Sequence, residues 1–136
     1  MENYILENDI HTFCITAKSF PDGVLESHQQ LHKLIPYSKE RNYYGLSCPN
    51  KEGVIVYKAA AQELSKGEGK KLNLENAIIK KGNYTSIFIP NFVNDITSVE
   101  KAFKKLLANP DIDPNGMCVE WYTSDTDVRC MVRLKK

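Results

Sequence analysis

Met117-Cys-Val-Glu-Trp-Tyr-Thr-Ser-Asp-Thr-Asp-Val-Arg-Cys-Met-Val-Arg-Leu134 holds two runs of alternating residues on either side of a polar turn, Ser124-Asp-Thr-Asp127. Alternation of this kind is the pattern of a half-buried β-strand, so the stretch predicts a hairpin. With Thr123 paired to Val128, Tyr122 faces Arg129, Glu120 faces Met131 and Cys118 faces Arg133. Period two then gathers Val119, Trp121, Val128, Cys130, Val132 and Leu134 on one face, apolar enough to lie beneath helices. The opposite face carries Cys118, Glu120, Tyr122, Arg129, Met131 and Arg133, a lining suited to a ligand groove.

Upstream of this hairpin, Asp113-Pro-Asn-Gly116 is a turn, and Asn109-Pro110 stops a helix predicted from about Ser98 to Ala108. Thr97-x-x-Glu100 reads as its capping box, and Val99, Phe103, Leu106 and Leu107 as its inner stripe. Before it, Asn76 to Pro90 predicts one long strand, bent by a bulge at Lys80-Lys81-Gly82. The first half follows the same order. A strand at His11 to Lys18 is followed by Pro21-Asp22-Gly23, which opens a helix to about Ile35 with Val24, Leu25, His28, Leu31, Leu34 and Ile35 at helical spacing. Strands then follow at Tyr43 to Cys48 and Val54 to Ala61, joined by Pro49-Asn-Lys-Glu-Gly53, with Ala59 to Leu64 continuing the second one. Ser65 to Lys71 reads as a connector. The chain is therefore expected to be a single domain, 1–136, of two β-α-β-β pseudo-repeats, about 10–64 and 74–136. The simplest packing is an α+β fold with a mostly antiparallel sheet. It places both helices on one face, leaves the other face open, and makes the seam between the halves a ligand cleft.

The 136 residues, 42% hydrophobic and 26% charged, suit one soluble domain with a substantial core. A net charge of +1 supplies no long-range field for nucleic acid or an anionic membrane, so no direct nucleic-acid or membrane binding is expected. No apolar run approaches the ~20 residues that cross a bilayer. The acidic start, Met1-Glu-Asn-Tyr-Ile-Leu-Glu-Asn-Asp9, lacks the basic and apolar regions of a signal peptide, and a cytoplasmic protein is expected. Cys14, Cys48, Cys118 and Cys130 form no C-x-x-C pair, and His11, His28 and His32 form no ligand cluster, so neither a metal nor a cofactor is expected. His28 and His32, four apart, read as ordinary positions on an amphipathic helix.

Three segments resemble a known family. Leu74-Glu-Asn-Ala-Ile-Ile-Lys-Lys-Gly-Asn-Tyr84, the helix Ser98 to Leu107, and Cys118-Val-Glu-Trp-Tyr122 are similar to the GyrI-like small-molecule-binding domain, the effector-binding domain of multidrug-responsive transcription activators. Lys18-Ser-Phe-Pro-Asp22 and Pro90-Asn-Phe-Val-Asn94 depart from the histidine-Gly-Pro-Tyr-like stretch that the family often has before each helix. With no helix-turn-helix ahead of the first strand, the resemblance implies a standalone form. It implies that Glu120 faces a cavity that takes lipophilic, aromatic or cationic compounds.

The residues point the same way, because a carboxylate partly removed from water seeks a cation or several hydrogen bonds, and aromatic faces attract cations. The expected ligand-binding residues are Glu120, Tyr122 and Met131, with Tyr44, Tyr57 and Phe88 completing a wall if strand register turns them inward. Trp121 is expected in the core. A plainer alternative pairs Glu120 with Arg129 or Arg133 on a solvated sheet face. Two further readings are a hydrolase of reactive xenobiotics with Glu120 as catalytic general base, and a module that docks a protein partner such as a transcription regulator or gyrase.

Overall fold

The computed structural model describes residues 1–95 and 97–136. The chain runs β1 (Glu2–Leu6), β2 (Ile10–Thr16), α1 (Val24–Leu34), β3 (Tyr43–Pro49), β4 (Ile55–Gln62), α2 (Glu68–Lys71), β5 (Glu75–Ile79) and β6 (Gly82–Ile89). It continues through a 3₁₀ turn (Phe92–Asn94), α3 (Thr97–Leu107), β7 (Cys118–Tyr122) and β8 (Val128–Arg133). The strands form one antiparallel sheet in the order β1-β6-β8-β7-β3-β4-β2-β5. From each end inward, the two β-α-β-β units present the same sequence of strands, β2-β4-β3 and β6-β8-β7. They meet where β3 pairs β7, with Tyr43 opposite Tyr122 and Gly45 opposite Glu120.

Each helix ends for a local reason. Ile35 is extended, as a residue before proline must be, and Pro36 closes α1. Thr97 is the first residue of α3 rather than its cap. Its N–H and hydroxyl both donate to Asp95 Oδ1, at 3.2 and 2.6 Å. The inner stripes are narrower than the spacing predicts. Ser27, Leu31 and Ile35 face the sheet from α1, and Ala102 and Leu106 from α3, while Leu25 stays 68% and Leu107 47% exposed. Both helices lie on one face. α1 covers Phe13, Ala59 and Ala61, and α3 covers Val128, Cys130 and Val132.

The other face is not open. Strand β5 lies at one end of the sheet and β6 beside the other end, yet only Lys80 and Lys81 link them. Two residues span about 10 Å at full stretch, so the sheet must roll until its ends approach. The predicted single strand is thus two, and Gly82 makes the corner at φ 141°, where a Cβ would sit 2.9 Å from Arg133 Nε. The inside of this half-barrel is a second core of Cys14, Tyr44, Leu46, Ile79, Tyr84 and Met131, among others. Full burial of such side chains stabilises by about 1.5–3 kcal/mol each.

The hairpin register also differs from the expected one. Tyr122, not Thr123, pairs with Val128, so Trp121 faces Arg129, Glu120 faces Cys130 and Val119 faces Met131. A slip of one residue exchanges faces. Cys118, Glu120 and Tyr122 therefore join Val128, Cys130 and Val132 beneath the helices, while Val119 and Trp121 turn into the half-barrel. The cause is the connection. Ser124 Oγ accepts the N–H groups of Thr126 and Asp127, at 3.3 and 3.1 Å. Asp127 Oδ1 accepts the Asn91 N–H, and the Thr126 carbonyl accepts the Phe92 N–H, both at 2.9 Å. These ties hold residues 123–127 as a five-residue loop that leans on the 3₁₀ turn.

Among the described residues no helix is long and apolar enough to cross a membrane. The expected connector contains α2, clamped by Arg41, whose guanidinium donates to both Glu68 oxygens at 3.1 and 2.7 Å.

Candidate functional site

Because α1 packs on β2 and β4 and α3 packs on β6 and β8, the seam strands β3 and β7 lie between the helices. Glu120 projects from β7 into that gap, directly opposite Gly45. Tyr122, two residues on, shares its face and packs against both helix clusters. Tyr57 reaches the same point from β4. The three hydroxyl and carboxyl groups connect in series with a histidine of α1. Tyr122 Oη donates to Glu120 Oε1 at 2.6 Å, Tyr57 Oη lies 3.0 Å from Tyr122 Oη, and His28 Nε2 lies 2.7 Å from Tyr57 Oη. The His28 ring stands edge-on to both tyrosines, with centroids at 5.7 and 5.4 Å, and Phe20 stacks on Tyr57 at 6.0 Å. Gly45 makes the room. A Cβ there would lie 2.1 Å from Tyr57 Oη and 3.1 Å from Tyr122 Oη.

The electrostatics follow from burial. Removal from water raises the Glu120 carboxyl above the usual range, and the bonds from Tyr122 and Tyr57 offset part of that rise. Burial, and then the Glu120 charge, raises both Tyr122 and Tyr57, so both remain phenols. Burial, and then the neighbouring His32, lowers His28 to about 4, so it is neutral at pH 7. Burial followed by Glu120 lifts the Cys118 thiol to about 11 and the Cys130 thiol to about 12, which leaves both protonated and unreactive. Neither arginine pairs with Glu120. From the opposite side of the sheet, Arg129 meets Glu2 at 3.5 Å and Ser86 at 3.0 Å, and Arg133 meets Asp113 at 3.0 Å.

Above Tyr122 lies a groove of about 560 Å³ between α1 and the 3₁₀ turn. Val24, His28, His32, Tyr43, Phe92 and Tyr122 line it, with the exposed Leu25, Tyr37, Ser124 and Asp125 around the rim. Among the described residues no lysine or arginine lines it. Tyr37 stacks on Tyr43 at 5.3 Å, and Phe92 tilts over Tyr122 at 5.8 Å, so its walls are largely aromatic. A larger depression on the outer side of α1 is bounded by the polar residues Glu26, Gln29, Gln30, His32 and Lys33. Among the described residues no three His, Cys, Asp or Glu side chains converge as metal ligands.

Of the six residues expected at the site, the fold brings together Glu120, Tyr122 and Tyr57. Tyr44 and Met131 are buried inside the half-barrel, on the far side of the sheet. Phe88, 39% exposed, lies on that side too, with the Arg129 guanidinium 5.4 Å above its ring. Trp121, expected beneath the helices, is there as well, edge-on to Tyr4 at 5.8 Å, with its Nε1 buried and unpartnered. His28, Gly45, Phe20 and Phe92 join the site without having been expected. The helical spacing did place His28 on an inward face, but nothing local to it names Tyr57 as its partner.

No family model matches the chain, and no curated protein matches it in sequence. Solved structures do share its fold. An integron cassette protein from the mobile metagenome of Vibrio cholerae is similar at a TM-score of 0.71 with 11% identity, over 98% of this chain and 95% of that one. A hydrolase from Listeria innocua is similar at 0.57 with 9% identity, over 98% of this chain and 90% of that one. At such identities the likeness concerns the fold alone.

Proposed function

We propose that this protein binds lipophilic, aromatic or cationic small molecules in the groove between its two halves, in the manner of a standalone GyrI-like effector-binding domain. The observation that supports this most is a buried carboxylate with tyrosine partners and no basic one, set under an aromatic floor. Burying an ionised carboxylate costs several kcal/mol unless a counter-charge or hydrogen bonds compensate it. Two phenols compensate in part. A cation resting on the Tyr122 face would gain from the ring and from the carboxylate behind it. Asp125 adds a second negative group at the rim, and the volume suits a drug-sized molecule.

Fluorescence titration with N-methylacridinium, a planar aromatic cation, tests the reading against the neutral 9-methylanthracene. Saturable binding of the cation is expected, about tenfold weaker in Glu120→Gln, which is about 1.4 kcal/mol. Affinity is also expected to fall on acidification through the raised Glu120 range, because the neutral acid no longer attracts a cation. Equal affinity in Glu120→Gln together with a flat pH profile would refute the reading. A hydrolase reading draws on the same group, since a carboxylate whose proton affinity burial raises, bonded to a hydroxyl, is equipped as a general base. Turnover of a reactive electrophile by the native protein, absent in Glu120→Gln, would select it over binding alone.

A further inference from the structure

Among the described residues no cation faces the buried Glu120, so what favours its charged form is hydroxyl protons. The groups facing it are known from each element. Tyr122 and Cys118 lie on its own strand, Cys130 on β8, Tyr57 on β4, His28 and then His32 on α1, and Asp125 on the groove rim. β3 places the bare Gly45 opposite it, with the Tyr43 and Ser47 hydroxyls on the same face, and α3 brings apolar Val99, Ala102, Phe103 and Leu106. None is a cation at neutral pH.

A phenol donates one proton. Tyr122 gives its proton to Glu120 at 2.6 Å, so the Tyr57 proton is left to run to the Tyr122 oxygen, 3.0 Å away, or to the carboxylate itself. Tyr57 has then used its proton and must accept one, and the atom within reach is His28 Nε2 at 2.7 Å. The direction of every proton in the series is therefore decided at its far end. With the proton on His28 Nε2, all donors run toward Glu120 and polarise one another in that sense. With the proton on Nδ1 instead, Tyr57 turns its hydroxyl to the imidazole, Tyr122 loses its donor, and the carboxylate loses support.

We infer that His28 is a positioning residue whose Nε2–H orients the Tyr57 and Tyr122 hydroxyls toward Glu120 and so favours its ionised form beneath the groove. Its part in ligand binding rests on the proposed function, but the proton order does not. Burial, and then His32, keeps the ring neutral, and therefore a single-proton donor, across the neutral range.

The ligand-free protein at neutral pH provides the test. Ring ¹⁵N shifts are expected to report the Nε2–H tautomer of His28. The ¹³C carboxyl titration of Glu120 is expected to move up by about one pH unit in His28→Leu, the size of one charge-assisted hydrogen bond acting through the series. His28→Gln, whose amide N–H takes the place of Nε2–H, should restore the native midpoint. Tyr57→Phe cuts the series one step nearer and should shift the midpoint as His28→Leu does. If His28→Leu fails to fold, the ring tautomer of the native protein decides the matter. An Nδ1–H tautomer, or native Glu120 midpoints in both His28→Leu and Tyr57→Phe, would overturn the inference. Since no ligand is present, intact proton order with no cation binding would refute the proposed function alone.

Discussion

Gly45 is the smallest residue of the site and the one that admits the rest. Tyr57 is wedged between Phe20 and His28, so it has little freedom to retreat from a new methyl group 2.1 Å from its oxygen. Gly45→Ala is expected to destabilise the fold by about 1–3 kcal/mol through overpacking. Urea unfolding should show a lower midpoint at unchanged slope, and an unchanged midpoint would contradict the packing described. At this scale the sequence is informative where chemistry and period coincide. Glu120 and Tyr122 share a face by alternation alone, whatever lies opposite. His28 could not be assigned so, because its meaning depends on Tyr57, 29 positions away and on another element. Gly45 is silent for the same reason, since the glycine matters only through the tyrosine packed above it.

The elements themselves are legible, because hydrophobic period and turn residues are local properties. Both long helices, and the strands β2, β3, β4, β7 and β8, lie close to where the pattern predicts them. The phase of β7 against β8 is not a local property. Each strand alternates clearly, but which face of one meets which face of the other depends on whether the loop holds four residues or five. Bonds to Asn91 and Phe92, a separate stretch of chain, hold it at five. That single residue carries Glu120 from the side expected to be open to the helical side. The loop also positions Phe92, a wall of the groove. Asp127→Ala removes the acceptor for the Asn91 N–H, and its carboxyl, which that bond lowers most, no longer ties the loop. Cation affinity measured by titration is expected to weaken by up to about tenfold while the Glu120 titration stays native. Native affinity would show that the tie does not shape the groove.

For the whole molecule, the arrangement of two similar units about the β3–β7 seam is what creates the groove. Each helix covers the outer strands of its own unit, and the seam is left between them. The repeat of pattern along the chain predicts that arrangement. The rolling of the sheet was not predictable from alternation, which reports only that a face is apolar and not what covers it. Here the sheet covers itself. The two-residue link at Lys80 and Lys81 forces the ends together, and Tyr44 and Met131, expected to line a groove, become core. The molecule thus has one protected interior on each side of the sheet, and among the described residues only the helical side has an aromatic groove above a carboxylate. A co-crystal structure with N-methylacridinium distinguishes the two directly. The account predicts the ring system against Tyr122, between α1 and Phe92, with its charged ring nearest Glu120. A ligand seated inside the half-barrel beside Trp121, or on the outer side of α1, would contradict it.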